Sequence, residues 1–179
     1  MTAPRVLVAG VGNVFLGDDA FGVEVVRELA RRPQPAGVRV ADFGIRGLDL
    51  TYALLDGYEA AVLVDATPLG GRPGTLYVLE VEPPGEPATA DLAGGGHDLD
   101  PARVLRLAAT LGSPVRRVRV VGCEPGPPGD IEELAAGLSE PVRAAVGEAV
   151  VLVESLVGDL LAAAGGGPVG QPEGESCRN

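Results

Sequence analysis

Three side chains have the types and placement to do chemistry together: Asp19, Asp65 and His97, the last being the only histidine in the chain. Asp19 follows a glycine-rich turn, Asp65 ends a run of apolar residues, and His97 leaves a long loop just ahead of a helical pattern. Two carboxylates and an imidazole form a plausible divalent-metal set with coordination positions left open. No local motif such as H-E-x-x-H ties them together, so spacing along the chain does not itself specify a metal. Asp18 stands beside Asp19 and competes for the same role, and Arg46 in a strand-to-helix loop could hold an anionic group.

Each residue also has a plainer reading. Asp19 could cap a helix beginning at Ala20. Asp65 could cap a turn into Thr67-Pro68, and His97, beside Asp98 and Asp100, could be a solvent-exposed loop residue. Cys123 reads either as a small buried hydrophobe or as the nucleophile of a Cys123–His97–Asp65 arrangement, which nothing in the spacing favours.

The elements that must position these groups alternate along the chain. Val6 to Val11 is a short apolar run that passes into Gly10-Val11-Gly12-Asn13, a strand ending in a tight turn. In an open α/β sheet that end is where ligands bind. A dinucleotide fingerprint fails there, because Phe15 stands where the third glycine belongs and two aspartates would repel a pyrophosphate. A helix follows over Ala20 to Arg32, with Phe21, Val25, Val26 and Leu29 on one face. Strands are expected at Val38 to Phe43, Ala60 to Asp65, Gly74 to Val81 and Val115 to Val121. Leu48 to Leu55 reads as a second helix, and Asp100-Pro101 opens a third by N-cap aspartate and first-turn proline. A final helix of some length, capped by Ser139, carries an apolar stripe from Val142 to Leu160. The order β-α-β-α-β-β-α-β-α predicts an α/β fold, a three-layer α/β/α sandwich with a mostly parallel central sheet and one hairpin-like addition. Residues 1–164 form a single domain on this reading, and residues 165–179 a disordered tail with too little apolar surface to order itself.

Composition narrows the partners. A net charge of -11 argues against nucleic acid or an anionic membrane surface. No run approaches the roughly 18 apolar residues of a membrane span, and the first strand starts almost at the N-terminus, so no signal peptide is read. Two cysteines, one in the polar tail, make no disulfide framework. A cytoplasmic monomer is the expectation.

The opening Val8-Ala9-Gly10-Val11-Gly12-Asn13, with Asp18-Asp19 and Gly22 after it, strongly resembles the maturation endopeptidases of nickel–iron hydrogenases. The likeness continues through Asp42-Phe43-Gly44-Ile45-Arg46-Gly47, Val62-Leu63-Val64-Asp65-Ala66, Gly74-Thr75-Leu76, His97 and Val121-Gly122-Cys123-Glu124-Pro125. It thus runs in order from Arg5 to Leu161. The resemblance implies an α/β sandwich in which Asp19, Asp65 and His97 hold a divalent metal, nickel, and act in catalysis, with the metal supplied by the substrate. It implies an endopeptidase that removes the C-terminal extension of the hydrogenase large-subunit precursor after nickel insertion. The alternative is a non-enzymatic nickel-sensing chaperone of that subunit. Two departures are visible: Asp19 stands where relatives can have glutamate, and Ala20 where many have glycine.

Overall fold

The computed structural model describes residues 5–82, 100–129 and 137–165. The expected alternation is present. Strand β1 (Val6–Val11) is followed by a 3-10 turn at Gly17–Ala20 and helix α1 (Phe21–Ala30). Then come β2 (Val38–Gly44), α2 (Gly47–Ala53), β3 (Ala60–Ala66) and β4 (Leu76–Val81). Helix α3 (Pro101–Thr110), β5 (Arg117–Cys123) and the long helix α4 (Glu140–Gly165) complete the order.

The five strands lie in the order β2-β1-β3-β5-β4. All neighbours are parallel except β4, which runs antiparallel to β5 at the sheet edge. The hairpin-like addition therefore differs from a simple hairpin: β4 follows β3 in sequence but pairs with β5, which is inserted between them. Its Val78, Leu79 and Glu80 are exposed, as an edge strand permits.

Side-chain alternation on the buried strands divides the core in two. Val6 and Val8 of β1, Val62 and Val64 of β3, and Val121 of β5 face a layer built by α1 and α4. Leu7, Ala9, Ala61, Leu63 and Val120 face the opposite layer, built by α2 and α3. Both faces of a parallel sheet are thus covered, which is why its central strands read as continuous apolar runs rather than alternating ones. The four residues assigned to the inner face of α1, Phe21, Val25, Val26 and Leu29, are all buried. So are Val142, Ala145, Ala149, Val150, Val153, Val157 and Leu160 of α4, each such valine or leucine contributing about 1.5–3 kcal/mol. Asp100 caps α3, its carboxylate accepting the Ala102 amide hydrogen at 2.9 Å ahead of Pro101. Among the described residues no helix is long and apolar enough to cross a membrane. The tail expected to be disordered lies, from residue 166, outside the described residues.

Candidate active site

The connection after β1 leads to α1 and out to β2, whereas β3 lies on the other side of β1. Neighbouring connections diverge at this point, and the crevice between the carboxyl ends of two such strands is the usual binding position in open α/β sheets. Gly10 of β1 is level with Val64 of β3, so Asp65 lies one residue beyond that register. The 3-10 turn carrying Asp19 packs against β3.

Glycines make this approach possible. A Cβ on Gly22 would overlap the carbonyl oxygens of Val64 and Val11, and one on Gly10 would overlap Gly22 and Val26. Gly12 adopts a φ of 130° and lies so close to the Asp19 carbonyl that a side chain has no room. The glycine-rich turn therefore draws the start of α1, with its aspartates, down onto the ends of β1 and β3.

Asp18 and Asp19, adjacent in sequence, have different duties. The Asp18 carboxylate accepts hydrogen bonds from the amides of Gly126 at 2.7 Å and Ser139 at 2.6 Å, and from the Ser139 hydroxyl at 2.8 Å. It is spent on joining the turn to the β5–α4 connection. Asp19 does not cap α1: the N-cap position belongs to Ala20 and has no side-chain cap. One Asp19 carboxylate oxygen instead accepts the Asn13 amide at 2.6 Å, which holds the group at the glycine-rich turn.

Asp65 does not cap the following turn at Thr67 either, because the Thr67 amide donates to the Cys123 carbonyl at 2.8 Å. Its carboxyl is pushed up to about 8, first by burial and then by the negative charge of Asp19, with a smaller push from Asp100 and a counter-pull from the Ala66 amide. Asp19 and Asp65 thus sense each other electrostatically, and a cation between them would relieve both burial and repulsion. The donor set suits a hard or borderline divalent ion. Among the described residues no group of three or more metal-binding side chains occurs; His97, the third expected ligand, lies outside the described residues. The structure brings together Asp19 and Asp65.

The other candidates have structural duties. Cys123 is a free thiol with no solvent exposure, packed in the α1/α4 core. Burial and then the charge of Asp18 raise it to about 11, so it is no ready nucleophile at neutral pH. Arg46 turns back on its own loop, donating from Nε to the Phe43 carbonyl at 3.1 Å and from a terminal nitrogen to that of Asp42. Its remaining nitrogen lies 3.6 Å from Asp49.

Glu124 is a residue that sequence reasoning left without a role. It is almost fully buried, and its carboxylate accepts the Leu69 amide at 2.8 Å, the Gly70 amide at 3.1 Å and the Tyr77 hydroxyl at 2.8 Å. These donors, the Leu69 amide foremost, hold its carboxyl below the usual glutamate value. Glu124 therefore anchors the loop that leaves Asp65. The only sequence signal was an acid placed directly after a buried strand.

Comparison with known proteins agrees with this fold. Residues 23–156 match the family described as hydrogenase maturation protease. The chain is 34% identical over 146 residues to the hydrogenase expression/formation protein HoxM of Azotobacter vinelandii, covering 80% of this chain and 68% of that protein. It is 31% identical over 154 residues to a putative hydrogenase maturation protease of Methanocaldococcus jannaschii, covering 86% and 96%. Among solved structures, the hydrogenase maturating endopeptidase HybD of E. coli superposes with a TM-score of 0.70 at 29% identity, over 87% of this chain and 93% of that one. The hydrogenase 2 maturation peptidase of Thaumarchaeota archaeon SCGC_AB-539-E09 does so with a TM-score of 0.64 at 35% identity, over 86% and 98%. With a family match across most of its length, relatives above 30% identity over more than two thirds of it, and the same fold, the chain belongs to the hydrogenase maturation protease family.

Proposed function

We propose that this chain is the endopeptidase that removes the C-terminal extension of a nickel–iron hydrogenase large-subunit precursor, and that it recognises the nickel carried by that precursor. The observation that supports this most is the pairing of Asp19 and Asp65 at the divergence point of the sheet in a member of this protease family. Nickel is part of the substrate on this reading, and Asp19, Asp65 and His97 are the protein's ligands to it and its catalytic residues.

The division of labour follows from the two carboxyls. Asp19, oriented by the Asn13 amide, presents its carboxylate beside the glycine-rich turn. Asp65, with its carboxyl raised to about 8, holds a proton at neutral pH until a cation displaces it. Once the cation has displaced that proton, the carboxylate can accept a proton from the attacking water and return it to the leaving amine. A bound divalent ion would supply polarisation of the scissile carbonyl or the water.

The test is to incubate the protein with nickel-loaded and nickel-free precursor and measure intact mass. Loss of a C-terminal peptide from the loaded sample alone is expected. Cleavage of both samples would remove nickel recognition from the proposal, and cleavage of neither, with the cognate precursor bound, would leave a binding protein.

A further inference from the structure

Large hydrophobic side chains left in solvent are unevenly distributed over this molecule. Of the eleven among the described residues, five lie on the three loops that follow β1, β2 and β3, namely Val14, Phe15, Leu16, Ile45 and Leu69, and a sixth, Leu48, lies in the first turn of α2 directly after the β2 loop. Those strands are adjacent in the order β2-β1-β3, so their loops form one continuous edge, and it is the edge that carries Asp19 and Asp65. Phe15 is 81% exposed, Leu48 65%, Ile45 58% and Leu69 56%. A monomer gains nothing by holding such groups in water, and an apolar patch rimming a polar centre is the mark of an interaction surface.

These side chains are displayed by a fixed backbone. The Phe15 amide donates to the Asn13 side chain at 3.0 Å, and the Leu16 amide to the Asn13 carbonyl at 3.1 Å. Arg46 ties the loop bearing Ile45 to the Phe43 and Asp42 carbonyls, and the Gly12 amide joins the first two loops by donating to Gly44 at 3.0 Å. Glu124 accepts the Leu69 amide. A rim whose backbone is already ordered loses little entropy on binding.

We infer that this rim is the docking surface for the protein substrate, and that it takes a segment with apolar side chains on either side of a cation-bearing centre. Charge complementarity selects that occupant: the Asp19 carboxylate stands inside the apolar rim beside the buried Asp65, which a cation would stabilise as a carboxylate, so a wholly apolar or anionic segment fits the flanks and not the middle. The inference rests on the proposed function for the identity of the protein that supplies the segment.

The test separates the two. Binding of nickel-loaded large-subunit precursor to the full chain is measured together with steady-state cleavage, for wild type and for a Phe15→Ser/Leu48→Ser variant. Both positions are exposed, so the fold should persist, which thermal melting checks; Val151→Ser, an exposed valine on α4, is the control. The rim variant should weaken binding by about tenfold or more and raise KM far more than it lowers kcat, with the control unchanged. Equal weakening in rim and control variants, or binding within about twofold of wild type, would overturn the inference. So would light scattering that shows wild type as a dimer and the rim variant as a monomer, since the rim would then belong to a second copy. Wild type that binds through the rim and does not cut would overturn the proposed function and leave the rim standing; wild type that binds no precursor would overturn the rim.

Discussion

The carboxylate of Asp18 accepts both the amide and the hydroxyl hydrogen of Ser139, at 2.6 and 2.8 Å, across 121 positions of sequence. This contact fastens the turn that carries Asp19 to the beginning of α4, whose first helical bond runs from the Arg143 amide to the Ser139 carbonyl. It commits Asp18 to the framework, whereas the neighbouring Asp19 is held at the glycine-rich turn by the Asn13 amide.

Asp18→Ala should therefore destabilise the protein, because three donors lose their acceptor at once; about 2–4 kcal/mol is expected, measured by chemical denaturation. Ser139→Ala should cost less, since the Ser139 and Gly126 amides keep their partner. A double-mutant cycle between the two should return a coupling of about 0.5–3 kcal/mol. A coupling indistinguishable from zero would mean that the contact does not hold the turn.

Asp65 gives the metal-free protein an unusual pH dependence. Its folded value of about 8 stands above the ordinary aspartate value of about 3.9. Between those limits the folded state keeps a proton that the unfolded state has lost, so stability falls as pH rises through the window. Asp65→Asn removes that loss. In chelator, the variant should melt several degrees above wild type at pH 8, with the gap closing toward pH 4. Parallel melting profiles would show that Asp65 ionises as a solvated aspartate does. Added nickel should raise the melting temperature of wild type and have little effect on Asp65→Asn.

Gly12 tests the glycine-rich turn. With φ at 130° and the Asp19 carbonyl pressed against the position of a Cβ, Gly12→Ala combines backbone strain with a clash. A loss of about 2–4 kcal/mol is expected, together with weaker nickel binding, because Asp19 must move. Gly57→Ala is the comparison: φ is also positive, at 85°, but the space around it is open. It should cost about 1 kcal/mol and leave nickel binding alone.

Glu124→Gln should loosen the loop leaving Asp65. The depressed carboxyl contributes stability above the ordinary glutamate value of about 4.3 and loses it as pH falls through the lower folded value. The variant should melt below wild type at pH 7, and the difference should shrink in acid. Limited proteolysis within residues 67–75 should accelerate; an unchanged cleavage rate there would show that Leu69 and Gly70 are held by other means.

Local physics made much of this protein legible in advance. Ala60 to Asp65 reads as a buried strand because both of its faces meet helices, and Asp100-Pro101 reads as a helix start because capping needs only neighbouring atoms. The α4 stripe from Val142 to Leu160 likewise follows from one helical period. The sequence also singled out Asp19, Asp65 and His97, through their places at strand ends and at the end of a long loop, and the family likeness pointed to the same three. What it left open were the matters decided by distant atoms. Inserting β5 between β3 and β4 depends on strand partners far apart in the chain. The framework role of Asp18 waited on Ser139, and the role of Glu124 on Leu69, 55 residues earlier. A carboxylate's duty is set by the donors around it, and only the folded chain supplies donors from so far away.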